Sequence, residues 1–162
     1  MLSVAAKAAL VISAVLAMEG VATLVHRYVM HGIGWGWHRS HHEPHDDLLE
    51  RNDLYAVCFA LLSAPLFVLG ADRPVLWWIG VGVALYGLLY FIVHDGLVHR
   101  RWPFHWVPRR GYLKHLVQAH RLHHAVRDRD GAVSFGFLYA APLDRLVRQL
   151  RARSRSGGEE AS

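Results

Sequence analysis

Ten of the thirteen histidines in this chain fall into a two-part pattern that is written twice. The first copy runs His26-Arg27-Tyr28-Val29-Met30-His31 and then His38-Arg39-Ser40-His41-His42. The second runs His94-Asp95-Gly96-Leu97-Val98-His99 and then His120-Arg121-Leu122-His123-His124. In shorthand this is H-x4-H followed by H-x2-H-H, placed before and after a long apolar segment. Neutral imidazole is the commonest metal ligand and suits zinc, copper, iron and nickel. Histidines scattered over an interfacial surface have no reason to repeat a two-part spacing. Two five-histidine sets therefore read as a dinuclear metal centre.

The spacing constrains the local fold. Positions i, i+3 and i+4 share one face of an α-helix, so His38, His41 and His42 are expected to point the same way, as are His120, His123 and His124. The H-x4-H pairs behave differently. Five residues advance an α-helix by about 500°, leaving the two rings ~140° apart. His26/His31 and His94/His99 are accordingly expected to straddle helix ends, with the second histidine of each on frayed or looped chain.

The rest of the chain is apolar enough to place this cluster at a membrane. Of its 162 residues 53% are hydrophobic and only 19% are charged, unusual for a soluble domain. Ser3 to Val25 contains only Lys7 and Glu19 as charged residues and exceeds the ~20 residues that cross a bilayer. It runs into His26 without a polar spacer or small-residue cleavage site, so it reads as a retained anchor rather than a signal peptide. Leu54 to Gly70 and Val75 to Val93 form a second and third apolar run around the turn Ala71-Asp72-Arg73-Pro74, a membrane hairpin. Gly80, Gly82 and Gly87 suit close helix packing, and Trp77, Trp78, Tyr86 and Tyr90 read as packing or interface anchors. The single cysteine, Cys58, excludes an internal disulfide framework and an iron–sulfur set. It is assigned to packing within an apolar helix.

Three crossings bring the ends at His26 and His94 out on one face. All of the 18 Lys and Arg except Lys7 and Arg73 fall on that face, which the positive-inside rule makes cytoplasmic. The expected fold is all-α: an integral membrane bundle (spans about 3–25, 54–70 and 75–93) under a cytoplasmic histidine-rich helical cap (26–53 and 94–153). Residues 1–153 form one domain, and the Gly/Ser/Glu-rich tail 154–162 is expected to be disordered. The net charge of +5 reads as orientation and lipid contact, since no groove-reading motif or stacking platform supports nucleic-acid binding.

Smaller features refine the site. Glu19 lies seven residues before His26, on the same helix face and roughly 10 Å away. A carboxylate at that depth is expensive, so Glu19 is a candidate either for a partner behind a ligand or for a buried polar contact. Asp95 beside His94 either fixes an imidazole or forms an Asp-Gly turn. Pro44 should end the helix bearing the first H-x2-H-H near Glu43, throwing His45 off the ligand face. Asn52 or Asp53 is expected to cap the next helix. The segment around Arg100 to Arg110 has the composition of chain lying in headgroups. Gly111 to Val126 should be the helix bearing the second H-x2-H-H, with His115 facing away from the ligand stripe. Gly131 to Pro142 is apolar but too short to cross, and is expected to tuck in as a re-entrant or capping segment. Leu143 to Arg153 alternates Leu/Val with arginine as a surface helix.

Hydrolytic zinc sites usually combine three protein ligands with a carboxylate base, and H-E-x-x-H is absent. The Glu-x-x-His pairs of carboxylate di-iron bundles are also missing. Ten histidines give each of two ions about five ligands, an arrangement for O₂ activation, although ligand type alone also allows zinc or copper.

With these motifs go Trp37-His38…His42-Glu43-Pro44, Asn52-Asp53-Leu54-Tyr55-Ala56, His99-Arg100, His124-Ala125 and Ser134-Phe135-Gly136-Phe137-Leu138-Tyr139-Ala140. Together, over about residues 10 to 145, they resemble the bacterial β-carotene hydroxylases. Those belong to the fatty acid hydroxylase superfamily of membrane non-haem di-iron oxygenases. The resemblance implies two irons held by His26, His31, His38, His41, His42, His94, His99, His120, His123 and His124, with zinc as a substitute in purified protein. His45, His105 and His115 fall outside the family's motifs. It further implies O₂-dependent hydroxylation at C3 of the β-ionone ring, by hydrogen abstraction and hydroxyl rebound. β-Carotene would become β-cryptoxanthin and then zeaxanthin, and 4-keto rings would lead from canthaxanthin to astaxanthin. The substrate would come from the bilayer of the inner membrane. Electrons would come from a ferredoxin-type system, because the chain has no flavin, haem or nucleotide motif. The alternatives are a related membrane hydroxylase, desaturase or ketolase acting on another lipid and, from another class, a metal transporter. A transporter should carry ionisable ligands at mid-membrane, whereas Lys7 and Glu19 alone lie in the expected spans.

Overall fold

The computed structural model describes residues 1–43, 49–101 and 106–159, with side chains through Arg153. His45 and His105, and the central part of the basic aromatic segment, lie outside the described residues. Everything described is helix or connecting chain. In order come α1 (Val4–Leu24), a π-helical segment (Val25–Ile33), α2 (Trp35–His42), α3 (Asp53–Gly70) and α4 (Pro74–Tyr90). A second π-helical segment (Phe91–Val98), α5 (Gly111–His123) and α6 (Leu143–Glu159) follow.

Three stretches are long and apolar enough to cross a membrane: Val4–Ile33, Asp53–Gly70 and Pro74–Val98. The first and third extend further than their apolar runs suggest, because each continues from α-helix into π-helix, the first past His31 and the third past His94. Ser3 caps α1, its hydroxyl accepting from the Ala6 N–H at 3.2 Å, and Pro74 occupies the first turn of α4, where a missing N–H costs nothing. Helices α1 and α4 approach closely at Gly82. A Cβ there would lie 2.5 Å from the Ala14 Cβ and 2.7 Å from the Val11 carbonyl, so only glycine permits this crossing. At the α3–α4 turn Gly70 lies equally tight against the Trp77 backbone. The outward faces stay apolar and exposed, as at Leu61, Leu62 and Val68, which suits lipid. Cys58 lies within the apolar helix α3, as expected, but is exposed there rather than packed.

The hairpin brings the start of α3 and the ends of α1 and α4 to the same end of the bundle, where α2, α5 and α6 cover them. The cap has its own apolar core of Val93, Leu116, Ala119, Val133, Ala140 and Leu146. The apolar stripe of α6 supplies Leu146 and flanking Leu143 and Leu150 to that core, while the Arg153 guanidinium donates to the Ala132 carbonyl. Helix α6 runs to Glu159, beyond the point at which tail composition predicted disorder. Extending a formed helix fixes one residue per added bond, far cheaper than nucleating one. Glu43, the residue before Pro44, is extended (φ −99°, ψ 141°), the conformation that a following proline imposes.

Candidate metal centre

Two π-helical segments solve the H-x4-H problem. In a π-helix the N–H of residue i+5 bonds to the carbonyl of residue i, so residues five apart stack on one face. The His99 N–H donates to the His94 carbonyl at 3.0 Å, and both rings turn the same way. His26 and His31 are placed alike in the first segment, which ends where Gly32 (φ −116°, ψ −118°) breaks the helix. His99 is the C-cap of its segment, so the His94/His99 pair straddles a helix end as expected, whereas His31 stays inside a wider helical turn.

The ten imidazoles gather into two groups of five. The Nε2 atoms of His26 and His38 lie 3.1 Å apart, those of His38 and His42 3.2 Å, and those of His123 and both His42 and His31 3.2 Å. In the second group His41 and His94 are 3.0 Å apart, His99 and His120 3.2 Å, and His120 and His124 2.9 Å. Four members of each group (His26, His31, His38, His123, and His41, His94, His99, His120) have their ligand atoms all within 4.8 Å of one another. The groups touch where the His42 ring stacks on His124, centroids 4.5 Å apart.

The two halves of the sequence are interleaved. His38 and His42, four apart on α2, join the first group, while His41 between them joins the second. On α5 and its C-cap, His120 and His124 join the second group and His123 the first. Each H-x2-H-H therefore straddles both groups instead of presenting one face to one ion. The residues i and i+4 flank one pocket, and residue i+3, about 60° away around the helix, reaches the other.

Outer hydrogen bonds fix the chemistry of these rings. Nδ1 of His26, His31, His42 and His123 donates to the carbonyls of Phe135 (2.9 Å), Arg129 (2.7 Å), Val126 (2.9 Å) and Val133 (3.0 Å). His38 Nδ1 donates to the Asn52 Oδ1 at 2.7 Å. Backbone carbonyls only accept, so these rings carry their proton on Nδ1 and turn an Nε2 lone pair inward. Neighbouring Nε2 atoms of such rings cannot hydrogen-bond to each other, and without a cation they repel. An ion about 2.1 Å from two imidazole nitrogens at right angles holds them about 3.0 Å apart, which is the spacing observed. The residues present fit two metal ions.

The second group has a different outer layer. His41 Nδ1 donates to the Glu50 carboxylate and His94 Nδ1 to that of Asp95, both at 2.7 Å. Asp95 thus fixes its neighbour's ring. Glu50 gave no signal in the sequence beyond its place in the polar stretch before α3. Asn52, expected to cap α3, makes no side-chain cap and holds His38 instead.

Aromatic rings seal the cluster. Phe137 stacks on His26 (5.1 Å) and Tyr90 on His94 (4.5 Å), while Trp35 lies against His31 and His42. His123 and His26 are 0% and 1% exposed. Burial pushes the imidazoles of the cap down, His38 to about 3 and His42 to about 4, because a charged ring would lose its hydration. Above the ordinary histidine pKa of 6.5 both folded and unfolded chains are neutral here, and no stability is linked to protons. Below it the unfolded chain takes up protons that the folded one refuses. The thermal midpoint of chelator-stripped protein is therefore expected to stay level above pH 6.5 and to fall steadily from there toward pH 4, as read by circular dichroism.

Of the two placements expected for the segment from Gly131 to Pro142, re-entrant or capping, its contacts with the histidines fit the capping one. Gly131 (φ +95°) and Ser134 (φ +60°) take left-handed conformations, and the carbonyls on either side of Ser134, of Val133 and Phe135, both turn to histidines. Glu19 secures this segment from inside the bundle. Its carboxylate accepts from the backbone N–H groups of Phe137 (2.9 Å), Leu138 (3.1 Å) and Tyr139 (2.9 Å), and from the Tyr86 hydroxyl (2.9 Å). Glu19 therefore resolves as a half-buried polar contact, reaching the histidines through the segment it holds. His115 donates to the Ala140 carbonyl at 3.1 Å and stays apart from the ligands. His115→Ala is expected to cost about 1 kcal/mol of stability and to retain most of the activity and both metals in turnover and metal assays.

A Fatty acid hydroxylase family model matches residues 11–148. The chain belongs to the fatty acid hydroxylase family. Within it, the chain is 61% identical over 144 residues to a protein from Paracoccus sp. (strain PC1) named beta-carotene hydroxylase, covering 88% of this chain and 89% of that one. A beta-carotene hydroxylase from Pantoea ananas is 56% identical, over 94% of this chain and 93% of its own. A chloroplastic beta-carotene 3-hydroxylase from Arabidopsis thaliana is 36% identical over 84% of this chain, which spans 44% of that protein. No solved structure matches the chain. All ten cluster histidines of this family member lie inside the matched residues.

Proposed function

We infer that the chain hydroxylates β-carotene at C3 of the β-ionone ring, giving β-cryptoxanthin and then zeaxanthin. The observation that carries this is a ten-imidazole pocket at the end of three membrane helices, in a chain 56–61% identical to bacterial proteins named beta-carotene hydroxylase. Two iron ions, held by the two interleaved groups of five, would supply reductive activation of O₂ and insertion of one oxygen atom into a C–H bond. The overall balance is one C–H bond, O₂, two electrons and two protons going to one alcohol and one water.

This chain's own residues do the rest. The Nδ1 hydrogen bonds of His26, His31, His38, His41, His42, His94 and His123 keep their inward Nε2 atoms deprotonated and aimed, so that these rings need not reorganise. Phe135, Phe137, Tyr90 and Trp35 exclude water, which protects the site from side reactions. The substrate reaches the site laterally from the bilayer, because the flanks of the spans are apolar and exposed. The electrons come from a separate ferredoxin-type donor, and the cluster faces the cytoplasm from the inner membrane, the side on which the arginines concentrate. Zinc would fill the same nitrogen sites in protein purified without iron.

Expression in cells that accumulate β-carotene tests this. The expected pigments carry hydroxyl groups at C3 only, and canthaxanthin-producing cells should yield astaxanthin. A keto group or new double bond as the sole change would contradict the assignment and favour a ketolase or desaturase.

A further inference from the structure

We propose that Glu50 and Asp95 make the two metal positions unequal, so that the one built from His41, His94, His99, His120 and His124 takes iron first and stabilises its oxidised form. The inference rests on the two-metal reading above and adds to it an order of filling. Around the His26 group all five Nδ1 acceptors are neutral: four backbone carbonyls and the Asn52 amide. Around the other group two acceptors are carboxylates, each at 2.7 Å. A carboxylate draws the Nδ1 proton outward and raises electron density at Nε2, making a more basic ligand and favouring higher charge on the metal.

The surroundings keep these carboxylates available to their histidines. Arg101 lies 3.7 Å from the Glu50 Oε1 and 3.8 Å from the Asp95 Oδ2. Its guanidinium also donates to Asp53, at 2.8 and 2.7 Å. Asp53 also accepts the Glu50 N–H at 3.0 Å, fixing the loop that carries Glu50. Arg101 thus lies beside both carboxylates while it also pairs with a third, Asp53. The Glu50 side chain is 3% exposed, so little water screens its charge from His41.

Glu50 and Asn52 play matching parts. Each side chain holds one α2 histidine by an oxygen at 2.7 Å, Glu50 facing His41 and Asn52 facing His38. Glu50→Gln and Asn52→Asp keep the accepting oxygen and change only its charge. If these residues merely oriented rings, neither substitution would alter metal binding.

The test is an anaerobic titration of metal-stripped, detergent-purified protein with ⁵⁷Fe(II), read by equilibrium dialysis and Mössbauer spectroscopy. The wild type is expected to bind iron in two resolved steps giving two distinct doublets. On exposure to a mild oxidant, the doublet of the first-filled ion should convert first. Glu50→Gln should weaken the first step by about 10- to 100-fold and leave the second in place. Asn52→Asp should strengthen the second step and narrow the gap. Two equivalent steps in the wild type, or unchanged isotherms in both variants, would overturn the proposal. Should Glu50→Gln fail to fold, the wild-type isotherm and Asn52→Asp still decide it. A wild type that binds no iron would overturn the two-metal reading itself.

Discussion

His41→Ala and His42→Ala, at adjacent positions in the last turn of α2, are expected to empty different metal positions. Both should abolish hydroxylation, since losing a ligand forfeits several kcal/mol of transition-state stabilisation, at least about 10³-fold in rate. Their metal signatures should differ. His41 Nε2 meets His94, and His42 Nε2 meets His38 and His123, so each variant should retain one iron in a distinct environment. His123→Ala should share the spectrum of His42→Ala, and His124→Ala that of His41→Ala. Metal analysis and Mössbauer spectra of the four variants check this pairing. Variants that instead grouped by sequence motif, with His41 beside His42 and His123 beside His124, would contradict the interleaving.

The second large effect is expected at Glu19. Glu19→Ala removes the acceptor for three backbone N–H groups and the Tyr86 hydroxyl. The Phe137, Leu138 and Tyr86 donors are partly buried and the Tyr139 N–H is exposed; an unsatisfied buried donor costs about 1–3 kcal/mol, so a loss of a few kcal/mol and a thermal midpoint lower by roughly 5–10 °C are expected. The damage should spread to the metals unequally. The freed segment carries the Val133 and Phe135 carbonyls that hold His123 and His26, both in the first group. Iron should therefore leave that group first, with the other retained. Glu19→Gln keeps an accepting oxygen and should lose less on both counts. Equal stability of Glu19→Ala and the wild type would show that the segment is held by packing alone.

The sequence made the histidine cluster and the spans legible, and left Gly131 to Pro142 as a re-entrant or capping segment, because each depends on residue type and run length. It misled where backbone geometry departs from the α-helix. The 100° step that puts His26 and His31 on opposite sides fails in a π-helix, and no side-chain pattern announces that a helix will widen. The assignment of His41 and His123 across the groups was equally hidden, since it depends on how α2 faces α5. Asp95 was visible through its position next to His94. Glu50 was not, because nine residues of chain separate it from the ring it holds. Asn52 shows the limit of local rules: it has a capping residue's type and place, but its side chain serves a histidine from another helix.

The central claim is that ten inward-facing imidazole nitrogens form two adjoining cation sites. Iron quantitation on protein purified anaerobically, with X-ray absorption at the iron edge, tests it most directly. Two irons per chain, each in a shell of imidazole nitrogens at about 2.1 Å, are predicted. A single iron per chain, or a shell containing sulfur or direct protein carboxylate ligands, would contradict it.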